Sequence, residues 1–135
     1  MTQHDDNSPD LLEKLGDSNM MLSDPSDDVR GRKVVDTHGE MLGHVSALFI
    51  DKQGRKVRFL QVGAGGFLGL GEREFLVPIE DVSSTTRAEV HINHSRDHVI
   101  AAPPFDPELT TKYDREFFDP YYGYYGLAPY WAGRY

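Results

Sequence analysis

His91, His94 and His98 stand close together with Asp97 between the last two. Imidazole nitrogens and a carboxylate are zinc-ligand chemistry, and on a helix His94 and His98, at i and i+4, would share one face. Ser95 is a natural helix N-cap, however, and a helix that starts after it leaves His94 outside and loses that spacing. No Glu completes an HExxH arrangement. The 135-residue chain also has no cysteine, which removes thiolate ligands, thiol nucleophiles and disulfides together. The expectation is solvated or hydrogen-bonded histidines and no metal. A small-ligand or metal-binding regulatory domain using His91, His94 and His98 is the alternative.

Two other patterns invite chemistry. Glu72, Glu74, Glu80 and Asp81 are candidate paired carboxylates for acid–base work. On a strand, Glu72 and Glu74 point to one side with Arg73 opposite, which describes a solvated edge. The stretch GAGGFLGLG, Gly63 to Gly71, resembles a phosphate loop, but Leu68 takes the place of the third glycine counted from Gly63 and no GxxxxGK[ST] is present. A strand follows it, so no helix N-terminus would face a phosphate. No Ser or Thr lies in a recognisable nucleophile motif. These patterns predict a glycine-rich hairpin, no cofactor and no enzyme.

Contact chemistry is better represented. Phe67, Leu68 and Leu70 are clustered large apolar side chains on a loop, and such clusters either fold over a core or meet a partner. All seven tyrosines and the single tryptophan lie after residue 102. The segment FFDPYYGYYGLAPYW contains Phe117, Phe118, Tyr121, Tyr122, Tyr124, Tyr125 and Trp131; its Gly and Pro punctuation resists a regular helix, and its rings favour stacking. It is expected either to remain a sticky unfolded tail or to dock, on the barrel or on a second subunit. With the hairpin it forms the expected partner-binding surface, for a protein partner or for a second copy in a homodimer.

Charge narrows the partner further. The net charge is -8. Residues 1–30 carry eight acids and two bases, residues 31–102 nine of each, and residues 103–135 five and three, so the flanks are acidic and the middle balanced. Direct binding to nucleic acid or anionic lipid depends on clustered Lys and Arg and is not expected. No apolar run approaches the length of a membrane span, and the first residues lack a secretory signal pattern. The default expectation is a cytoplasmic protein.

The elements that must position these groups are short and β-rich. Lys33 to Asp36, His44 to Asp51, Val57 to Gly63, Phe75 to Pro78 and Glu89 to Asn93 read as strands, bounded by Gly and acidic turns. Gly54 sits where the DKQGRK hairpin wants a flexible residue. IEDV reads as one helical turn, and Ser95 caps a short helix that Pro103 ends. Leu11, Leu12 and Leu15, between Asp10 and Gly16, have the i, i+1, i+4 stripe of a short helix. Val45, Val57, Phe59, Leu60, Val62, Phe75, Val77, Val90 and Ile92 are the expected core. Residues 1–10 offer almost nothing to bury.

In order and spacing, GRKVVDTHGEMLGHVSALFID, VRFLQVGAGGFLGLGEREFLVPIEDV and VHINHSRDHVIAAPPFDP resemble the PRC-barrel family. The most telling piece is GGFLGLGEREFLVP. The resemblance implies an all-β fold, a small six-stranded antiparallel SH3-like barrel with short flanking helices. The resemblance covers residues 29–107, which sets the expected barrel domain; composition adds an acidic extension with a short helix over 1–28 and an aromatic Tyr-rich tail over 108–135. The family includes the cytoplasmic part of the photosynthetic reaction centre H subunit and the C-terminal domain of a ribosome maturation factor, and carries no catalytic residues across. The expected function is a non-enzymatic protein–protein interaction module or adaptor; an accessory role in ribosome or RNA maturation is a further alternative.

Overall fold

The computed structural model describes residues 10–16, 21–65 and 73–132. Seven strands form one sheet: β1 (Leu12–Lys14), β2 (Lys33–Val35), β3 (Met41–Asp51), β4 (Val57–Ala64), β5 (Arg73–Pro78), β6 (Val82–Thr85) and β7 (Glu89–Ile92). Their order is β5-β4-β3-β2-β7-β6, with β1 also on β3. All described ladders are antiparallel except β2 with β7, which is parallel. This corrects the expected closed, six-stranded antiparallel barrel: the described residues form seven strands, and the sheet is neither wholly antiparallel nor closed. No described ladder joins β5 to β6, so the sheet curls around its core without hydrogen-bonded closure. The turn Ile79–Asp81 that links those two strands is a single 3-10 turn, as IEDV predicts.

In place of the expected helix over Leu11–Gly16, Leu12–Lys14 is a strand and Leu15–Gly16 a turn. β3 pairs with β4 along one edge, and β2 occupies only the first part of the other. β1 takes up the rest of that second edge, with Glu13 opposite Ile50, and so satisfies backbone groups that would otherwise lack partners. A three-leucine stripe little longer than one turn could not outweigh that ladder.

Side chains alternate across the sheet and so build two cores. Leu48, Ile50, Leu60, Val62, Phe75, Val77, Val90 and Ile92 pack inside the curl. Phe49, Phe59 and Leu76 face outward into a second cluster with Leu12 and Phe105. The ladder shifts register at Phe49/Ile50, where Val57 pairs Ile50 and Phe59 pairs Phe49. Arg58 is the extra residue of that bulge, which is how Val57 and Phe59 reach opposite faces. All nine expected core residues are buried, with Phe59 in the outer cluster. Gly43 permits the tight coil at the other end of this strand pair, because a Cβ there would lie 2.2 Å from the Gly63 carbonyl oxygen.

Among the described residues two α-helices complete the fold, α1 (Arg96–Ile100) and α2 (Arg115–Tyr124). Ser95 caps α1 as expected, its hydroxyl accepting from His98 N–H at 3.1 Å. Helix α2 overturns the expectation of an irregular tail. Asp114 caps it by accepting from Phe117 N–H at 3.0 Å. Gly126, at φ +72°, ends it with a Schellman pair: Gly126 N–H to the Gly123 carbonyl and Leu127 N–H to the Tyr122 carbonyl. Pro120 lies inside the helix, and the buried residues Phe118, Tyr121 and Tyr122 hold it against the sheet.

Candidate functional site

The aromatic segment docks on its own barrel. Phe118 stacks on Phe59 with centroids 4.8 Å apart, and Tyr122 meets the same ring edge-on at 4.9 Å. Tyr121 donates its hydroxyl to the Pro104 carbonyl at 2.8 Å, and Tyr125 reaches the inner core. Burial raises the phenol of Tyr121 to about 12 and pushes those of Tyr122 and Tyr125 higher still. Phe118, Tyr121, Tyr122 and Tyr125, expected on a partner surface, are thus covered within one chain. Phe117 and Tyr124 are half-buried. Phe67, Leu68 and Leu70 lie outside the described residues.

The histidines do not converge as a trio. His91 Nε2 lies 2.9 Å from Glu89, whereas His94 Nδ1 lies 2.5 Å from the buried Asp81 carboxylate. His94 is outside α1, yet its ring still stacks on His98 at 4.3 Å, so the loss of helical spacing did not separate them. On its other side His98 stacks on Tyr124 at 4.4 Å, and the Tyr124 hydroxyl donates to the His98 carbonyl at 2.6 Å. Burial raises Asp81 above the usual carboxylate range, and burial together with His94 lowers His98. Among the described residues no group of three or more His, Asp or Glu side chains could hold a metal ion. Of the candidate acids, Glu74 is an anchor on the outer face, accepting from Ser46 at 2.9 Å and Gln61 at 2.8 Å. Glu72 lies outside the described residues.

A groove of about 760 Å³ is the site that sequence reasoning missed. One wall is the hairpin between β3 and β4. Here Arg55, not Gly54, takes the left-handed conformation, at φ 55°. Gly54 instead allows a close approach: its N–H donates to the Asp51 carboxylate, and a Cβ would stand 3.2 Å from the same oxygen. The Asp51 carboxylate also accepts from Arg58 Nε at 2.8 Å. Burial alone would raise Asp51, but the Gly54 and Arg58 donors outweigh it and hold the group low. Arg58 in turn lies 4.0 Å from the Tyr130 ring centroid. The opposite wall is Trp131 with Arg115, at 5.7 Å. Trp131 packs edge-on against Tyr122 at 5.5 Å and Tyr130 at 5.3 Å, so α2 fixes its position.

Lys52 and Lys56 complete the rim. Among the described residues neither of them, nor Arg115, has an ion-pair partner. The groove therefore presents four cations against two carboxylates, Asp10 and Asp51, on a chain of net charge -8. A second opening of about 430 Å³ leads to the inner core between Asp24, Asp27, Lys56 and Arg58. Trp131 was singled out from sequence; Arg58, Arg115, Lys52, Lys56 and Tyr130 were not. Balanced totals over residues 31–102 concealed Lys52, Lys56 and Arg58, and an acidic flank concealed Arg115, because the fold, not the sequence, gathers the cations.

The curled sheet with its flanking α1 defines the class of protein. The family model of the PRC-barrel domain matches residues 23–102, more than half of the chain, and the chain belongs to that family. That match begins before the expected boundary at residue 29 and ends before residue 107. No curated protein matches the chain. Among the described residues no helix is long and apolar enough to cross a membrane.

Proposed function

We propose that this PRC-barrel protein is a non-enzymatic interaction module that binds a protein partner through the Arg58–Tyr130–Trp131–Arg115 groove. The observation that carries the reading is the build of that groove: half-exposed Trp131 is packed on Tyr122 of α2, Arg58 covers Tyr130, and among the described residues Lys52, Lys56 and Arg115 beside them have no ion-pair partner. Amphipathic aromatic rings beside Arg are the composition of protein-binding hot spots. The partner is a different protein, since burial of Phe118, Tyr121, Tyr122 and Tyr125 in cis removes much of the apolar surface that would favour a homodimer.

The test is affinity capture on the immobilised full chain, followed by titration of the purified captured protein against wild type and a Trp131→Ala, Arg115→Gln variant. The reading predicts a one-to-one complex of micromolar or better affinity that the variant weakens by at least about 2 kcal/mol, the scale of a hot-spot residue. A complex unaffected by the variant would refute the groove as the contact surface.

A further inference from the structure

Resting on the reading of the groove as a contact surface, we infer that its ligand is an acidic segment of the partner polypeptide, whose carboxylates meet Arg115, Lys52 and Lys56 while an apolar or aromatic side chain lies on Trp131. The whole chain carries 22 acids against 14 bases, yet among the described residues the groove gathers four cations and two carboxylates. Both carboxylates are engaged: Asp51 with Gly54 and Arg58, and Asp10 with the Tyr113 N–H at 2.8 Å. Arg58 is engaged as well, so it is a positioning residue that fixes Tyr130 and leaves the remaining cations as the recognition set.

The chemistry favours carboxylates over phosphodiesters. A nucleic acid carries an unbroken row of charge, and the surrounding acidic chain repels its approach beyond the groove. A short acidic peptide places its charge only where the cations are. Arg115, exposed and without an ion-pair partner among the described residues, has the planar fork that takes a carboxylate through two N–H bonds. At physiological ionic strength the screening length is about 8 Å, so only charges within the groove itself count for much.

Trp131 is the only tryptophan, which lets intrinsic fluorescence report the groove directly. The full chain is titrated with an acetylated, amidated octapeptide of mixed Glu and Asp with one central Leu, and with its Gln/Asn counterpart. The inference predicts saturable change in Trp131 emission with the acidic peptide alone, weakened at least about tenfold by Arg115→Gln or by Lys52→Gln with Lys56→Gln. Arg115→Lys should retain part of the affinity.

Equal binding of the Gln/Asn peptide, tighter binding of a single-stranded RNA oligonucleotide, or equal response to inorganic phosphate would each overturn it. So would binding that appears only in a full-length Asp5→Asn, Asp6→Asn variant, which would make the chain's own N-terminus the occupant. Failure here leaves the captured-partner titration standing, because a groove-dependent complex could still form on a ligand of different chemistry.

Discussion

Replacing Phe118 by alanine removes a fully buried ring from the layer that joins helix α2 to the barrel. The ring lies 4.8 Å from Phe59, 4.8 Å from Phe117, 6.0 Å from Phe49 and 6.1 Å from Tyr113. Truncating such a residue costs about 3–5 kcal/mol in lost transfer energy and residual cavity. Against a total stability of roughly 5–15 kcal/mol, that is a large share. Urea denaturation followed by circular dichroism should show a lowered midpoint, and Phe59→Ala should cost a similar amount. Because the two rings stack, the double variant should cost less than the sum by about 0.5–3 kcal/mol. The reasoning fails if Phe118→Ala costs less than about 1 kcal/mol while Phe59→Ala is severe. Phe59 would then be covered by something other than α2, and the groove that α2 supports would lose its wall.

Gly43→Ala should destabilise the fold by about 1–3 kcal/mol in thermal unfolding, because its Cβ would collide with the Gly63 carbonyl; an unchanged midpoint would disprove that close approach. Asp36 accepts from His38, Glu40 and Arg96 N–H groups at 2.8 Å each. Burial would raise that carboxyl, but these donors prevail and lower it, so its stabilisation is present above the unfolded carboxylate pKa and lost as pH falls through the folded one. Asp36→Asn should cost about 1–3 kcal/mol at neutral pH and flatten the acid limb of the stability curve; a neutral-pH effect near zero would refute it. Tyr121, Tyr122 and Tyr125 are raised by burial, so their contribution is intact below the ordinary phenol pKa of about 10 and lost above it. Alkaline absorbance titration should show these phenols ionising together with unfolding, and early, non-cooperative ionisation of all the tyrosines would contradict their burial.

The β-rich sheet, though not its lack of hydrogen-bonded closure, was legible because Val45, Leu60, Val62, Phe75 and Val90 obey local rules: short apolar runs, alternation and Gly-bounded turns. The first strand was not. Leu11, Leu12 and Leu15 fit a helical stripe, and only the remaining free edge of β3, set by a ladder far along the chain, made extension the better state. The tail misled for another reason. Pro120 and Gly123 argued against helix, but Phe118, Tyr121, Tyr122 and Tyr125 stand at i, i+3, i+4 and i+7, the spacing of one buried helical face. Weighting that spacing, with Asp114 as its cap, would have found α2. The groove had no comparable signal. Lys52, Lys56 and Arg58 look like ordinary hairpin charges until α2 brings Arg115, Tyr130 and Trp131 across from them.

The most direct test of groove binding is amide chemical-shift mapping of the 135-residue chain as the purified captured partner is added. Perturbations should concentrate on residues 51–58, on Arg115 and on Tyr130 to Ala132, while β6 and β7 stay unmoved. Saturable binding that leaves those groove amides in place and shifts others would contradict it.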